Sequence, residues 1–256
     1  MPSKLSASRL ITLTASAIRQ QGARLMTDAP WSFGVFVLSL PFVLLVPGLI
    51  QLMHPGFVAV LFVVHLLALV RISLAWHRQI ALNGPTDGAA GELRGAGWKY
   101  LALIVLFIAV AAALVSANDV MPFLVYVALN NVGGDALFFV CVFVAWAAMW
   151  GGLPYLLGSF ALSLPSVAVS GKYDFGRMRR ALRTSVWPLV GAQVMMIGSA
   201  ALTRATLGRV VFEKSGGSIA YGALGILFCV VSVVVATAMC AVAYRELRPG
   251  AGDVAA

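Results

Sequence analysis

The sequence predicts an all-α, polytopic integral membrane protein of about six transmembrane helices with amphipathic interfacial helices. Three observations carry that prediction. Of 256 residues, 61% are hydrophobic and 11% charged, against about 25% charged in a soluble domain, so the chain has too little polar surface to clothe a globule in water. Long charge-free runs recur, the longest spanning 42 residues between Asp28 and Arg71. The 18 Lys and Arg residues gather in the stretches between those runs.

Residues 1–30 carry Lys4, Arg9, Arg19 and Arg24 among Ser, Thr and Ala. Ile11, Ile18 and Leu25 recur every seven residues and so share one side of a helix. The segment reads as an interfacial helix on an anionic leaflet, with a disordered basic tail as the alternative. The first apolar run starts only near Trp31 and is longer than a signal-peptide core, so the N-terminus is expected to be retained on the cytoplasmic side.

A helix crosses the hydrocarbon in about 20 residues, so the run after Asp28 holds two passes, 31–53 and 57–82, joined by a turn at Gln51 to Gly56. Pro41 and Pro47 should kink the first, which membrane helices tolerate when neighbours satisfy the freed carbonyls. Arg71 and Arg78, seven apart beside Trp76, can snorkel together toward one headgroup layer. Asn83 to Gly97 is a polar, glycine-rich loop, and 100–118 is a third span.

Val120 to Gly134 is uncharged but short, bracketed by Asp119 and Asp135 and interrupted by Pro122. It reads as interfacial or re-entrant rather than spanning. The uncharged run Ala136 to Gly171 exceeds one bilayer core, so 136–159 is the fourth span and the remainder should bend along the cytoplasmic interface. Spans at 184–203 and 218–244 complete the transmembrane domain, 31–244, and 245–256 is a polar cytoplasmic tail.

Gly171 to Val190 is the densest cationic stretch, with Lys172, Arg177, Arg179, Arg180 and Arg183 offset only by Asp174. With the N-terminus inside, 15 of the 18 basic residues fall on the cytoplasmic side and only Arg204, Arg209 and Lys214 outside. That asymmetry satisfies the positive-inside rule and places both termini in the cytoplasm. Phe175, Met178, Leu182 and Val186 share one face of the basic stretch while the arginines point elsewhere or to its border. It reads as a surface helix whose Arg177, Arg179, Arg180 and Arg183 contact anionic headgroups, or else as a plain topology determinant.

Ionisable groups inside a membrane raise functional hypotheses. The intramembrane polar candidates are His65, Asn130, Asn131, Asp135, Gln193 and Arg204. His65 has no second His close enough to share an ion, so an interhelical hydrogen bond is its better reading. Cys141, Cys229 and Cys240 lie in apolar runs with no Cys-x-x-Cys spacing, as buried thiols do. Val132-Gly133-Gly134-Asp135 and Tyr173-Asp174 are similar to intramembrane aspartyl-protease motifs, but their order and predicted opposite faces forbid a shared proton. Gly-Ser pairs lack a hydrolase context, and the Gly-rich loop lacks the Gly-Lys-Ser/Thr ending that cradles phosphate. No catalytic, metal or cofactor site is expected.

Leu164-Pro165-Ser166-Val167-Ala168-Val169-Ser170-Gly171, followed after a short gap by Phe175 to Gly191, resembles a segment of the six-helix membrane domain of glycerophosphodiester phosphodiesterases and its stand-alone bacterial inner-membrane relatives. The helix closing in Ala243-Tyr244-Arg245 fits the same pattern. The phosphodiesterase of that family is a separate soluble barrel for which this chain has no room, so the resemblance implies an inner-membrane location and no catalysis. The expectation is a non-catalytic inner-membrane protein organising lipids or partner proteins. A small-solute transporter or channel subunit is the alternative. Anionic lipids, and a second copy or another membrane protein, are the expected partners, with no nucleic acid.

Overall fold

The computed structural model describes residues 6–82, 96–129, 135–181, 186–213 and 219–247, excluding the side chains of 24–28, 47, 177, 179, 181 and 213. These residues form helices and the turns between them: α1 (Ala7–Asp28), α2 (Pro30–Leu44), α3 (Val46–Leu52), α4 (Pro55–Leu82), α5 (Ala96–Leu129), α6 (Asp135–Phe160), α7 (Ser163–Ser170), α8 (Phe175–Ala181), α9 (Val186–Gly208), a π turn (Arg209–Glu213) and α10 (Ile219–Leu247). Five stretches are long and apolar enough to cross a membrane by length and composition: α4, α5, α6 with α7, α9 with the π turn, and α10.

Contacts fix the bundle's two ends. Arg78 late in α4, Lys99 early in α5 and the C-terminus of α7 meet at one end, where Arg9 of α1 also reaches Glu246 of α10 at 3.6 Å. Asp119 of α5 meets Arg204 of α9 at the other. We call these the Lys99 end and the Arg204 end.

The first expected span is divided. α2 has 15 residues and α3 seven, separated at Leu45, whose N–H turns back to Pro41 and Phe42 carbonyls at 3.2 Å. Pro47 has no N–H with which to continue the ladder, so the helix restarts. The expected boundary at Asn118 lies inside α5, which runs on through Pro122 to Leu129. Residues 120–129 thus continue a helix rather than starting a separate segment, while 130–134 lie outside the described residues.

The run after α6 also differs from its expected course along the interface. The chain turns at Ala161 and Leu162, then buries α7 from Ser163 to Ala168 against α4 and α5. Ser163, Val167 and Ala168 are wholly inaccessible.

Helix α1 presents a different face from the one its seven-residue apolar repeat suggests. Leu10, Thr14 and Ala17 are buried against α10 and α4, with Ile18 packed beside them, while Ile11 faces away. Leu25 has its side chain outside the described residues. The buried face ties α1 to the protein, and Arg9 stands 3.6 Å from Glu246 where α1 crosses the end of α10.

Close helix packing falls at Gly158. A Cβ on Gly158 of α6 would lie 2.8 Å from Val190 Cγ2 and 3.1 Å from the Val190 backbone nitrogen of α9, whereas Gly191 and Gly198 face open space. Backbone cannot retreat as a flexible side chain can. Gly158→Ala should therefore cost about 1–3 kcal/mol through overpacking, read as loss of thermal stability in detergent micelles. Gly191→Ala should melt with the parent.

Candidate functional site

The Lys99 end is built around the C-terminus of α7. A helix leaves its last carbonyls without intrahelical partners, and here Val167 and Ala168 are buried while Ser170 is exposed. Gly171, at φ 66°, turns left-handed and returns its N–H to the Val167 carbonyl at 2.9 Å. A side chain at that position would be strained. Arg78 Nε donates to the Ala168 carbonyl at 2.8 Å, and Lys99 Nζ to the Gly171 carbonyl at 3.0 Å. Two cations thus serve the negative end of a helix dipole. The Tyr173 hydroxyl returns a bond to the Lys99 carbonyl at 3.1 Å, and its ring stacks on Phe175, which packs edge-on to Phe160.

Helix α8 starts from that aromatic stack. Met178 is buried in the core, and Arg180 on the same short helix is exposed, its Nε donating to the Gly176 carbonyl at 3.2 Å. Of the other headgroup candidates, Arg71 is exposed on α4, while Arg78 is committed to α7. Arg177 and Arg179 lie on α8 with side chains outside the described residues, as is all of Arg183.

The described intramembrane polar candidates do not converge on one point. His65 Nδ1 meets Ser39 Oγ of α2 at 2.8 Å with Phe36 stacked on its ring. Ser39 already gives its hydroxyl proton to the Val35 carbonyl at 2.6 Å, so His65 is the donor. This is an interhelical tie. Asp135 is exposed in the first turn of α6, where the dipole favours a carboxylate. Asn130 and Asn131 lie outside the described residues. Among the described residues, no three His, Cys, Asp or Glu side chains gather as a metal site would require.

Gln193 and Arg204 stand eleven residues apart on α9, at opposite ends of a crevice between α9 and α5. The crevice comprises three neighbouring cavities that share wall residues. The first, about 300 Å³, is lined at the Arg204 end by Asn118, Asp119, Trp150, Arg204 and Arg209. The second, about 360 Å³, is apolar and shares Val115, Ala201 and Arg204 with the first. The third, about 140 Å³, shares Ile108, Ala111 and Met196 with the second and reaches inward to His77 and Gln193.

The mouth holds two guanidinium groups against one carboxylate, with Arg204 and Asp119 3.7 Å apart. Trp146 and Trp150 both donate their indole N–H to Asn118 Oδ1. No protein-family model, curated protein or solved structure matches this chain. What the site can do follows from its own geometry.

At the deep end, His77 Nδ1 lies 2.8 Å from the Ser73 carbonyl and 2.7 Å from the Tyr100 hydroxyl. A carbonyl only accepts, so the hydrogen bonding assigns the proton to Nδ1. His77 Nε2 then carries a lone pair, and neither it nor the buried Gln193 Oε1 has a protein partner. Sequence reasoning passed over His77 because it sits beside Trp76 and Arg78 at a helix end. Its spacing of four from Ser73 marks one helical face, but Tyr100 lies on another helix and is invisible to spacing.

If His77 and Tyr100 pair as the distances require, a double-mutant cycle with His77→Leu and Tyr100→Phe should give a coupling of about 1 kcal/mol, within the range for bonds between membrane helices. Additive losses of stability in the two single variants would show that the pair does not interact.

Proposed function

We propose that this chain is a non-catalytic, multi-pass protein of a bacterial inner membrane that organises anionic lipids at its cytoplasmic face. The observation that carries this reading is the charge asymmetry between the two ends. Arg9, Lys99, Lys172 and Arg180 are all exposed at the Lys99 end against half-buried Asp174 and Glu246, and the backbone of α8 holds two more arginines there. The described residues of the Arg204 end balance Arg204 and Arg209 against Asp119 and Asp135. A cationic end attracts an anionic leaflet by about 1 kcal/mol for each basic residue near the surface.

Orientation follows from the same asymmetry, with the Lys99 end and both termini in the cytoplasm. Together α2 and α3 cover 30–52, about 34 Å at 1.5 Å per residue, and serve as a first, interrupted span. That makes six. The likeness of Leu164 to Gly191 to the membrane domains of glycerophosphodiester phosphodiesterases agrees with this placement and supplies no activity.

A transporter or channel subunit is less well supported, because Asp135, Gln193 and Arg204 stand at separate places rather than along one polar route. A second copy or a membrane-protein partner remains compatible with a lipid-organising role.

Two measurements test the reading. Replacing Arg177, Arg179, Arg180 and Arg183 together by Gln should lower retention of phosphatidylglycerol in native mass spectra by at least about tenfold; unchanged retention removes the headgroup role. With the three native cysteines replaced by Ala, a membrane-impermeant thiol reagent added to intact cells should spare Gly176→Cys and label Ile219→Cys. Labelling at position 176 would invert the topology.

A further inference from the structure

We propose that the crevice between α5 and α9 is a site for one anionic phospholipid, its headgroup at Arg204 and Arg209 and one acyl chain running inward along α9. This deepens the lipid-organising reading and rests on it, but it concerns the opposite end of the molecule from α8.

Four observations point to this occupant. The mouth is polar and, among its described residues, bears two arginines to one aspartate. Guanidinium groups suit phosphate because their planar donors match its oxygens. The Arg204–Asp119 contact of 3.7 Å is loose, so Arg204 can turn toward an anion without giving up a tight ion pair. Trp146 and Trp150, held on Asn118, place an aromatic pair beside the mouth, as at a headgroup boundary.

Below the mouth the walls are apolar, contributed by residues such as Phe62, Val115, Ala200 and Met196. Such walls do nothing for a free anion and suit a hydrocarbon chain. Arg204 and Gln193 are eleven residues apart on α9, about 16 Å along the axis. That is close to half of a bilayer core of about 30 Å, the depth one chain fills in one leaflet. The floor is set by His77 Nε2 and Gln193 Oε1, buried atoms without a protein partner. Burying them against a methyl end is unfavourable, so the chain should stop above them.

The test uses the full chain in detergent, titrated with dipalmitoyl phosphatidylglycerol and read by native mass spectrometry. Arg209→Gln at the mouth and Ala111→Phe in the apolar middle should each weaken the tightest bound lipid by about tenfold. The quadruple Gln variant of α8 should keep that lipid. Ala111→Phe leaves every charge in place, so a loss there reports the chain rather than the headgroup. Parental affinity in both crevice variants overturns the proposal, as does equal competition by glycerol phosphate, which has the headgroup chemistry and no chain. A lipid lost in the α8 variant alone also overturns it and leaves the cytoplasmic reading standing.

Discussion

The C-terminal turn of α7 is the constraint around which the Lys99 end is arranged. Buried backbone carbonyls need a partner from the protein itself, and α7 passes from wholly inaccessible Val167 and Ala168 to exposed Ser170 within one turn. Gly171 answers with a left-handed turn, α4 with Arg78 and α5 with Lys99. Those answers join α4, α5 and α7. They also fix where α8 begins, because Tyr173 is bonded to the Lys99 backbone and stacked on Phe175. The cationic helix is therefore positioned by the need to satisfy a neighbouring helix end.

That arrangement explains why the basic residues of this end are not equivalent. Arg78 is consumed by structure, and Lys99 is shared between the Gly171 carbonyl and the Tyr173 ring. Arg9 is drawn to Glu246. Arg180 reaches only its own helix and keeps an exposed head. Exposed ion pairs add little stability, so Arg9 can leave Glu246 at small cost, whereas Arg78 cannot leave Ala168 without stranding a carbonyl. A count of positive charges distinguishes the two ends; the hydrogen bonds decide which of those charges are committed to the fold.

Much of the architecture was legible in the sequence because charge-free length is a direct record of hydrocarbon thickness. The runs after Asp28, around Tyr100, after Asp135, after Thr184 and after Ser218 all became helices. Boundaries were less legible. Pro122 reads as a break, yet a proline is tolerated in a long apolar helix, and α5 passes through it. The run after residue 159 reads as an interface segment because Ala136 to Gly171 is too long for one crossing; α7 instead packs inward on α4 and α5. Gly191 and Gly198 carry no close contact and Gly158 does, since composition does not say which face of a helix meets its neighbour. His77 with Tyr100, and Asp119 with Arg204, are pairings between helices. Nothing in the spacing along one helix could have found them.

The Ser73, His77 and Tyr100 cluster contains the residue types of a nucleophile and a base, and its hydrogen bonds show why those types do not act so here. Ser73 Oγ gives its proton to the Leu69 carbonyl at 2.7 Å rather than to an imidazole, so no base activates it. His77 spends its Nδ1 proton on the Ser73 carbonyl of the same helix, which leaves the lone pair on Nε2 turned away from both hydroxyls. Tyr100 is bound to the protonated side of the ring. Each group is held by its neighbour in the orientation that ties α4 to α5, and the only face left over is the one that closes the crevice. A cluster so spent is a wall of the cavity between α4, α5 and α9.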